Sequence, residues 1–266
     1  MTRALFLGAG ASPGVPSISC GFGCCNPNNP KNRRTRTSTI YEIGGVRILV
    51  DASPDLRAQF LDNEIKYLDG ILITHAHFDH IGGIDELREI NRINHKPLDV
   101  YAPDYVMKVI KKRYAYMVMD KRNKQEYIRD GYSARGGVKV NVVKPNREFR
   151  LKGIKIVPIK LLGHNVPSCG YIINDEIVHL GDFRYLASSA EKLINKIEPQ
   201  LMTIPLTVME EHIHHAGLDS DLQFIDKFKP EQAVLNHMAS ECDYDEVNRR
   251  TPENVQPAYD NLTIEW

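Results

Sequence analysis

Gly70-Ile71-Leu72-Ile73-Thr74-His75-Ala76-His77-Phe78-Asp79-His80-Ile81-Gly82-Gly83 is the stretch from which the rest of this chain is read. Ile71 to Thr74 is apolar or β-branched and predicts a buried strand. Three histidines and an aspartate follow within six positions, and two glycines then give the backbone room to turn. Such a cluster in a loop leaving a strand predicts metal ligation, because imidazole and carboxylate together suit zinc, manganese or iron(II). No cysteine lies among them, which argues against a closed, thiolate-rich zinc site. Four ligands this close in sequence do not wrap one ion easily. The expectation is therefore a pair of ions shared between His75/His77 and Asp79/His80.

Working back toward the N-terminus, Asp51-Ala52-Ser53-Pro54-Asp55 ends a hairpin. Its two strands, Thr39 to Ile43 and Val46 to Val50, flank Gly44-Gly45. Asp51 stands at a strand end, where a carboxylate can orient a metal-bound histidine from behind. Leu56 to Asn63 reads as a helix with Ser53 as N-cap and Pro54 in the first turn. Ala4 to Leu7 is a short strand, and Gly8 to Pro16 a glycine- and proline-rich loop that lacks the Gly-x-Gly-x-x-Gly dinucleotide fingerprint. Between them and the hairpin, Cys20, Cys24 and Cys25 crowd a loop. These three thiols could hold a structural zinc with a fourth ligand from elsewhere, Cys242 being one candidate; reduced cysteines in a tight loop are the alternative.

Toward the C-terminus, Ile84 to Ile93 and Tyr105 to Tyr116 read as helices and Val100 to Ala102 as a strand. Residues 117 to 136 carry Lys121, Arg122, Lys124, Arg129 and Arg135, either a lid over an anionic substrate or a solvated face. Strands follow at Val138 to Val143, Glu148 to Leu151 and Ile154 to Ile159. The last of these leads into His164. A hairpin of Gly170 to Ile173 and Glu176 to Leu180 leads into Asp182. Leu201 to Pro205 is a further strand, and Ala233 to Leu235 leads into Asn236-His237. A strand followed by a polar ligand in its exit loop thus recurs along the chain, the arrangement that assembles a site at one sheet edge. His212, His214 and His215 precede a helix over Leu218 to Phe228, and at least one of them can reach that edge. His95 and His179 read as structural or surface residues.

Composition narrows the classes. The 266 residues carry 34 basic and 34 acidic side chains, so bulk charge holds the protein to neither nucleic acid nor membrane. No apolar run approaches the roughly 20 residues a bilayer-spanning helix needs. The N-terminal apolar run is too short for a signal peptide, and five cysteines do not form a secreted disulfide framework. A single domain over 1–266 in a cytoplasmic protein is the expectation.

His-x-His-x-Asp-His resembles the signature of the metallo-β-lactamase superfamily, most of whose members are dinuclear metal hydrolases. The likeness runs further. Leu7 to Pro16, the cysteine loop ending Asn29-Pro30-Lys31-Asn32-Arg33-Arg34, Asp51 to Arg57, and the tail from Asp243 through Pro252-Glu253-Asn254-Val255 to Asp260 resemble one branch. That branch contains the phosphoribosyl 1,2-cyclic phosphate phosphodiesterases, and ribonuclease Z is more distantly similar. The resemblance implies an α/β fold, an αββα sandwich of two mixed sheets with the metals at one edge. It implies that His75, His77 and His164 hold one divalent ion, Zn2+ or Mn2+, that Asp79, His80 and His237 hold the other, and that Asp182 bridges them.

The resemblance also implies roles for two residues in catalysis: Asp79 orients a metal-bound hydroxide, and His215 gives a proton to the leaving group. The expected reaction is hydrolysis of a small, cyclic phosphodiester, and a homodimer is one expected state. Alternatives are a tRNA 3′-end endonuclease, disfavoured by zero net charge and by the lack of a glycine-rich basic arm, and a thioester or lactone hydrolase. The family's cysteine loop reads Cys-x-Cys-x-x-Cys. Here Cys20 and Cys25 match, Phe22 stands at the middle position, and Ser240 stands where a histidine completes that site.

Overall fold

The computed structural model describes residues 1–118 and 137–266. The basic side chains Lys121, Arg122, Lys124, Arg129 and Arg135 lie outside the described residues. Two mixed sheets stack face to face. The first has the order β15-β1-β2-β3-β4-β5-β6, from β1 (Thr2–Gly8), β2 (Ser38–Ile43), β3 (Val46–Val50), β4 (Gly70–Leu72), β5 (Leu98–Pro103), β6 (Val138–Val143) and β15 (Leu262–Glu265). The second has the order β11-β8-β9-β10-β12-β13-β14, with β7 also on β8. Its strands are β7 (Phe149–Leu151), β8 (Ile154–Leu162), β9 (Cys169–Ile173), β10 (Ile177–His179), β11 (Tyr185–Leu186), β12 (Leu201–Pro205), β13 (Gln232–Asn236) and β14 (Val255–Pro257).

Strand periodicity explains the layers. On β1, Ala4 and Phe6 pack between the sheets while Leu5 and Leu7 face outward; on β3, Ile48 and Val50 face in and Leu49 out. The second sheet answers with Tyr171, Ile173, Ile177, Leu201 and Val234. Both outer faces are covered. Helices α1 (Leu56–Asp62), α2 (Phe78–Ile81), α3 (Leu87–Asn94) and α4 (Asp104–Arg113) pack on the first sheet, and α5 (Ser188–Ile194), α6 (Leu218–Phe228) and α7 (Tyr244–Arg250) on the second. This is the αββα arrangement the resemblance implies. No helix among the described residues is long and apolar enough to cross a membrane.

Both expected hairpins form, and each turns through two left-handed residues, Gly44-Gly45 (φ 55 and 83) and Asn174-Asp175 (φ 54 and 56). That handedness matches strand twist, which is why glycine, asparagine and aspartate stand there. The expected helix over Ile84 to Ile93 begins as a 3-10 turn, Ile84–Glu86, before α3. The start of α1 also differs from expectation. Its N-cap is Asp55, and the Ser53 hydroxyl accepts from the Asp55 backbone N–H at 3.1 Å, forming a turn that ends before the helix. Pro54 sits in that turn.

One buried residue works against the fold. Asp221, in the first turn of α6, is fully buried, and neither carboxylate oxygen has a hydrogen-bond partner among the described residues. Burial pushes its carboxyl well above the ordinary range. The folded chain therefore holds this proton more tightly than the unfolded chain, and stability falls as pH rises above the unfolded value of about 3.9. Asp221→Asn removes the ionisable group at nearly constant shape. It is expected to stabilise the protein by about 1–3 kcal/mol at neutral and alkaline pH, and to do nothing below about pH 4. Thermal melts of both proteins across pH check this; parallel profiles would refute it.

Candidate metal centre

In each sheet, four adjacent strands run parallel: β3-β4-β5-β6 and β10-β12-β13-β14. Their exits lie along one edge of the sandwich, so residues far apart in sequence meet there. β3 delivers Asp51, β4 delivers His75 to His80, β10 delivers Asp182, and β13 delivers His237. His164 arrives from the end of β8.

Two clusters result. The first is His75, His77, His164 and Asp182; the second is Asp79, His80 and His237. Within the first, His77 Nδ1 lies 3.0 Å from His75 Nε2 and 3.1 Å from His164 Nε2. Within the second, Asp79 Oδ2 lies 3.2 Å from His80 Nε2 and 3.1 Å from His237 Nε2, and the two Nε2 atoms are 3.2 Å apart. Asp182 faces both. Its Oδ2 is 3.9 Å from His75 Nε2 and from His164 Nε2, while its Oδ1 is 3.7 Å from His237 Nε2. The Asp182 Oδ1 atom is buried and has no hydrogen-bond partner among the described residues.

Ring nitrogens turned toward one another, and a buried carboxylate oxygen left without a donor, are costly unless a cation lies among them. The donor set therefore fits two divalent ions. All seven residues proposed from the sequence as ligands are brought together.

The far side of each ring is also held. His80 Nδ1 bonds to Asp51 Oδ2 at 2.7 Å, and Asp51 accepts in addition from the Thr74 N–H and hydroxyl, both at 2.8 Å. The Thr74 hydroxyl also lies 3.1 Å from His75 Nδ1, and the Thr207 hydroxyl 3.0 Å from His237 Nδ1. These contacts fix which nitrogen of each ring points into the site. Asp51 takes a left-handed φ of 61 to make its three bonds. Gly181 has a different constraint: a Cβ there would stand 2.6 Å from Thr74 Cβ and 2.7 Å from the Cys169 carbonyl. Only glycine lets the β10 exit approach the Thr74 segment closely enough to deliver Asp182.

Electrostatics splits the histidines. Burial, reinforced by neighbouring imidazoles, holds His75 well below the ordinary range and His164 at about 4. Burial likewise lowers His77. For His80, burial is outweighed by Asp79 and Asp51, which raise it well above that range; for His237, burial is outweighed by Asp182 and Asp79. Burial would push Asp182 up, but His237, His75, His80 and His164 hold it well below the carboxylate range. The carboxylates are thus ionised and ready to ligate.

His215 stands outside both clusters. Its ring lies 5.0 Å from that of His164, centroid to centroid, and burial lowers it. His212 and His214 are further members of the same loop, with ring centroids 5.8 Å apart. His179, read as structural or surface, is buried, and its Nδ1 bonds to Tyr41 Oη at 2.8 Å. Sequence reasoning missed Thr207, although it lies just past β12, where the strand-then-ligand pattern points.

The cysteine loop needs correction. Among the described residues no cysteine joins a metal-holding cluster. Cys20 Sγ bonds to Ser17 Oγ (2.9 Å) and Ser240 Oγ (3.2 Å), Cys24 is exposed, and the Cys242 thiol is turned to the Leu206 carbonyl. The buried Arg34 guanidinium donates to Cys25 Sγ at 3.2 Å and to the carbonyls of Ala239 and Cys242. A fixed cation at the sulfur repels a metal cation, and hydrogen bonds close the loop in its place.

Comparison with known proteins bears on the family and the fold. Residues 46–238 match the family described as beta-lactamase superfamily domain. A crystal structure described as a new diphosphatase from the PhnP family superposes with a TM-score of 0.87 at 26% identity, covering 100% of this chain and 98% of that one. The octanoyltransferase of Porphyromonas gingivalis is 31% identical over 98% of this chain but 51% of its own length. The ribonuclease Z of Archaeoglobus fulgidus is 28% identical over 54% of this chain and 44% of its own. The chain spans about half the length of the curated relatives it matches.

Proposed function

The chain belongs to the beta-lactamase superfamily domain family and is a metallo-β-lactamase-fold hydrolase, and from that premise we propose that it hydrolyses a small phosphodiester at a two-metal site. The observation that carries the reading is Asp182, which offers one oxygen to each of two clusters. Likeness to a PhnP-family diphosphatase and to a ribonuclease Z supports phosphorus as the attacked atom. Two divalent ions held there would supply an acidified water as nucleophile and neutralise the non-bridging phosphate oxygens. Imidazole and carboxylate donors without thiolate suit zinc or manganese.

The chain's own groups do the rest. Asp51, Thr74 and Thr207 lock the rings of His80, His75 and His237, so the site is formed before substrate arrives. Asp79, ionised and wedged between His80 and His237, accepts a hydrogen bond from the attacking water and aims its lone pair. His215 is close enough to His164 to border the site yet belongs to neither cluster, which leaves its proton for the departing oxygen. Zero net formal charge suits a small substrate better than tRNA.

A second reading rests on the P. gingivalis relative named octanoyltransferase, about half of whose length matches nearly all of this chain: an acyl ester or thioester would bind the same pair through its carbonyl. One experiment separates the two readings. Metal content is measured, and hydrolysis of bis(p-nitrophenyl) phosphate, cyclic and diphosphate diesters, and an octanoyl thioester is followed before and after chelation. About two ions per chain with chelator-sensitive diester cleavage is the expected result. Thioester cleavage alone transfers the assignment to the second reading, and neither metal uptake nor turnover refutes both.

A further inference from the structure

The seven candidate ligands are not equally enclosed. His77 and His164 are partly exposed residues, whereas the other five are buried. The site therefore meets solvent beside these two, whose rings stand 4.8 Å apart, centroid to centroid. Three chain segments converge there, and each sets large apolar side chains in the open. Phe78, between the ligands His77 and Asp79, is 61% exposed. Leu162, two residues before His164, is 39% exposed, and Tyr185, its partner across β8 and β11, is 52% exposed. Ile213, two residues before His215, is 66% exposed, and the His215 ring in turn meets that of His164.

This rim is held in place from behind. Tyr185 leans against Gly163, where a Cβ would stand 3.2 Å from the Tyr185 Cδ2, so its ring lies beside the residue that precedes His164. The Arg184 guanidinium lies 5.1 Å from the Tyr185 ring centroid and pairs with Glu211 at 3.4 Å, and Glu211 also accepts from the Ser220 hydroxyl of α6. The loop carrying Ile213 is closed by the His212 N–H on the His215 carbonyl at 3.1 Å. Apolar side chains left open to water around a polar centre mark the place where part of a ligand is covered. Phe78, Leu162, Tyr185 and Ile213 offer one hydroxyl among them, so they select by apolar area and not by hydrogen bonds. We infer that the substrate of the metal site carries an apolar substituent, alkyl or aryl, which lies along this rim while the phosphate faces the ligands. The inference rests on the phosphodiesterase reading and narrows it: these four residues set specificity for the group attached to phosphorus.

The test is calorimetric titration of n-alkyl phosphonates, methyl to octyl, into the zinc-loaded full chain. A phosphonate keeps the anionic oxygens and has a P–C bond that water does not cleave there, so binding is read without turnover. Affinity is expected to rise about two- to fourfold per methylene over the first several carbons, and to show no such rise after chelation. Tyr185→Ser and Ile213→Ser are each expected to weaken octylphosphonate binding by about tenfold with metal content unchanged. Ile93→Ser is the control. That side chain is equally open to water but stands at the end of α3, where Asn94 bonds to the Lys66 carbonyl ahead of β4, and the chain-length dependence should survive its loss. Equal affinity for methyl- and octylphosphonate overturns the inference and leaves the reaction assignment standing. A chain-length dependence without diester turnover does the reverse. A dependence that persists after chelation or in both site variants overturns the inference, as does adenosine 5′-monophosphate binding more tightly than octylphosphonate.

Discussion

Asp182→Ala is expected to leave a folded protein that retains neither a metal pair nor hydrolysis. The Asp182 carboxylate faces both clusters, with Oδ2 3.9 Å from His75 and His164 and Oδ1 3.7 Å from His237. Its removal takes a ligand from two ions at once. Changing a residue that merely orients a metal ligand costs about 10–100-fold in affinity or activity, and losing the shared ligand must cost more. Asp182→Asn keeps the shape and one acceptor but gives up the charge, so it is expected to fall between alanine and wild type. Metal per chain by elemental analysis, beside circular dichroism and turnover, decides the matter. An alanine variant that still carries two ions would show that Asp182 does not bridge.

How much of this was legible in the sequence follows a physical boundary. The strands were, because short apolar or β-branched runs such as Ala4 to Leu7 and Val46 to Val50 are buried on both faces and bounded by turns. The gathering of candidate ligands at one edge was, because the histidine motif is dense and His164, Asp182 and His237 each follow a strand; their division between two ions came from the family resemblance. What could not be read depends on contacts between distant segments. The Ser53 hydroxyl serves a turn rather than the helix cap: it accepts from the Asp55 N–H, and Asp55 takes the N-cap position. Thr207 looks like any threonine until β12 and β13 lie side by side. The cysteine loop carried thiols at close spacing, but whether they gather around an ion depends on Arg34, whose guanidinium reaches across to Ala239 and Cys242. Spacing alone shows where ligands stand and not which neighbour arrives to compete for them.

His215 should reveal itself through the leaving group. A general acid matters when the departing oxygen would otherwise leave as a strongly basic alkoxide, and matters little when it leaves as a stabilised nitrophenolate. His215→Ala is therefore expected to slow an alkyl phosphodiester by about 10²–10⁴-fold while bis(p-nitrophenyl) phosphate loses far less. Metal content should not change, because His215 lies outside both clusters. Burial lowers His215 in the free site, so the proton must be secured once the anionic substrate is beside the ring, negative charge favouring imidazolium. The effect should accordingly fall on kcat, with KM nearly unchanged. Equal losses on both substrates would mean that the ring positions the phosphate and does not protonate the leaving oxygen. A loss of metal would mean that it steadies His164, whose ring it meets edge to face.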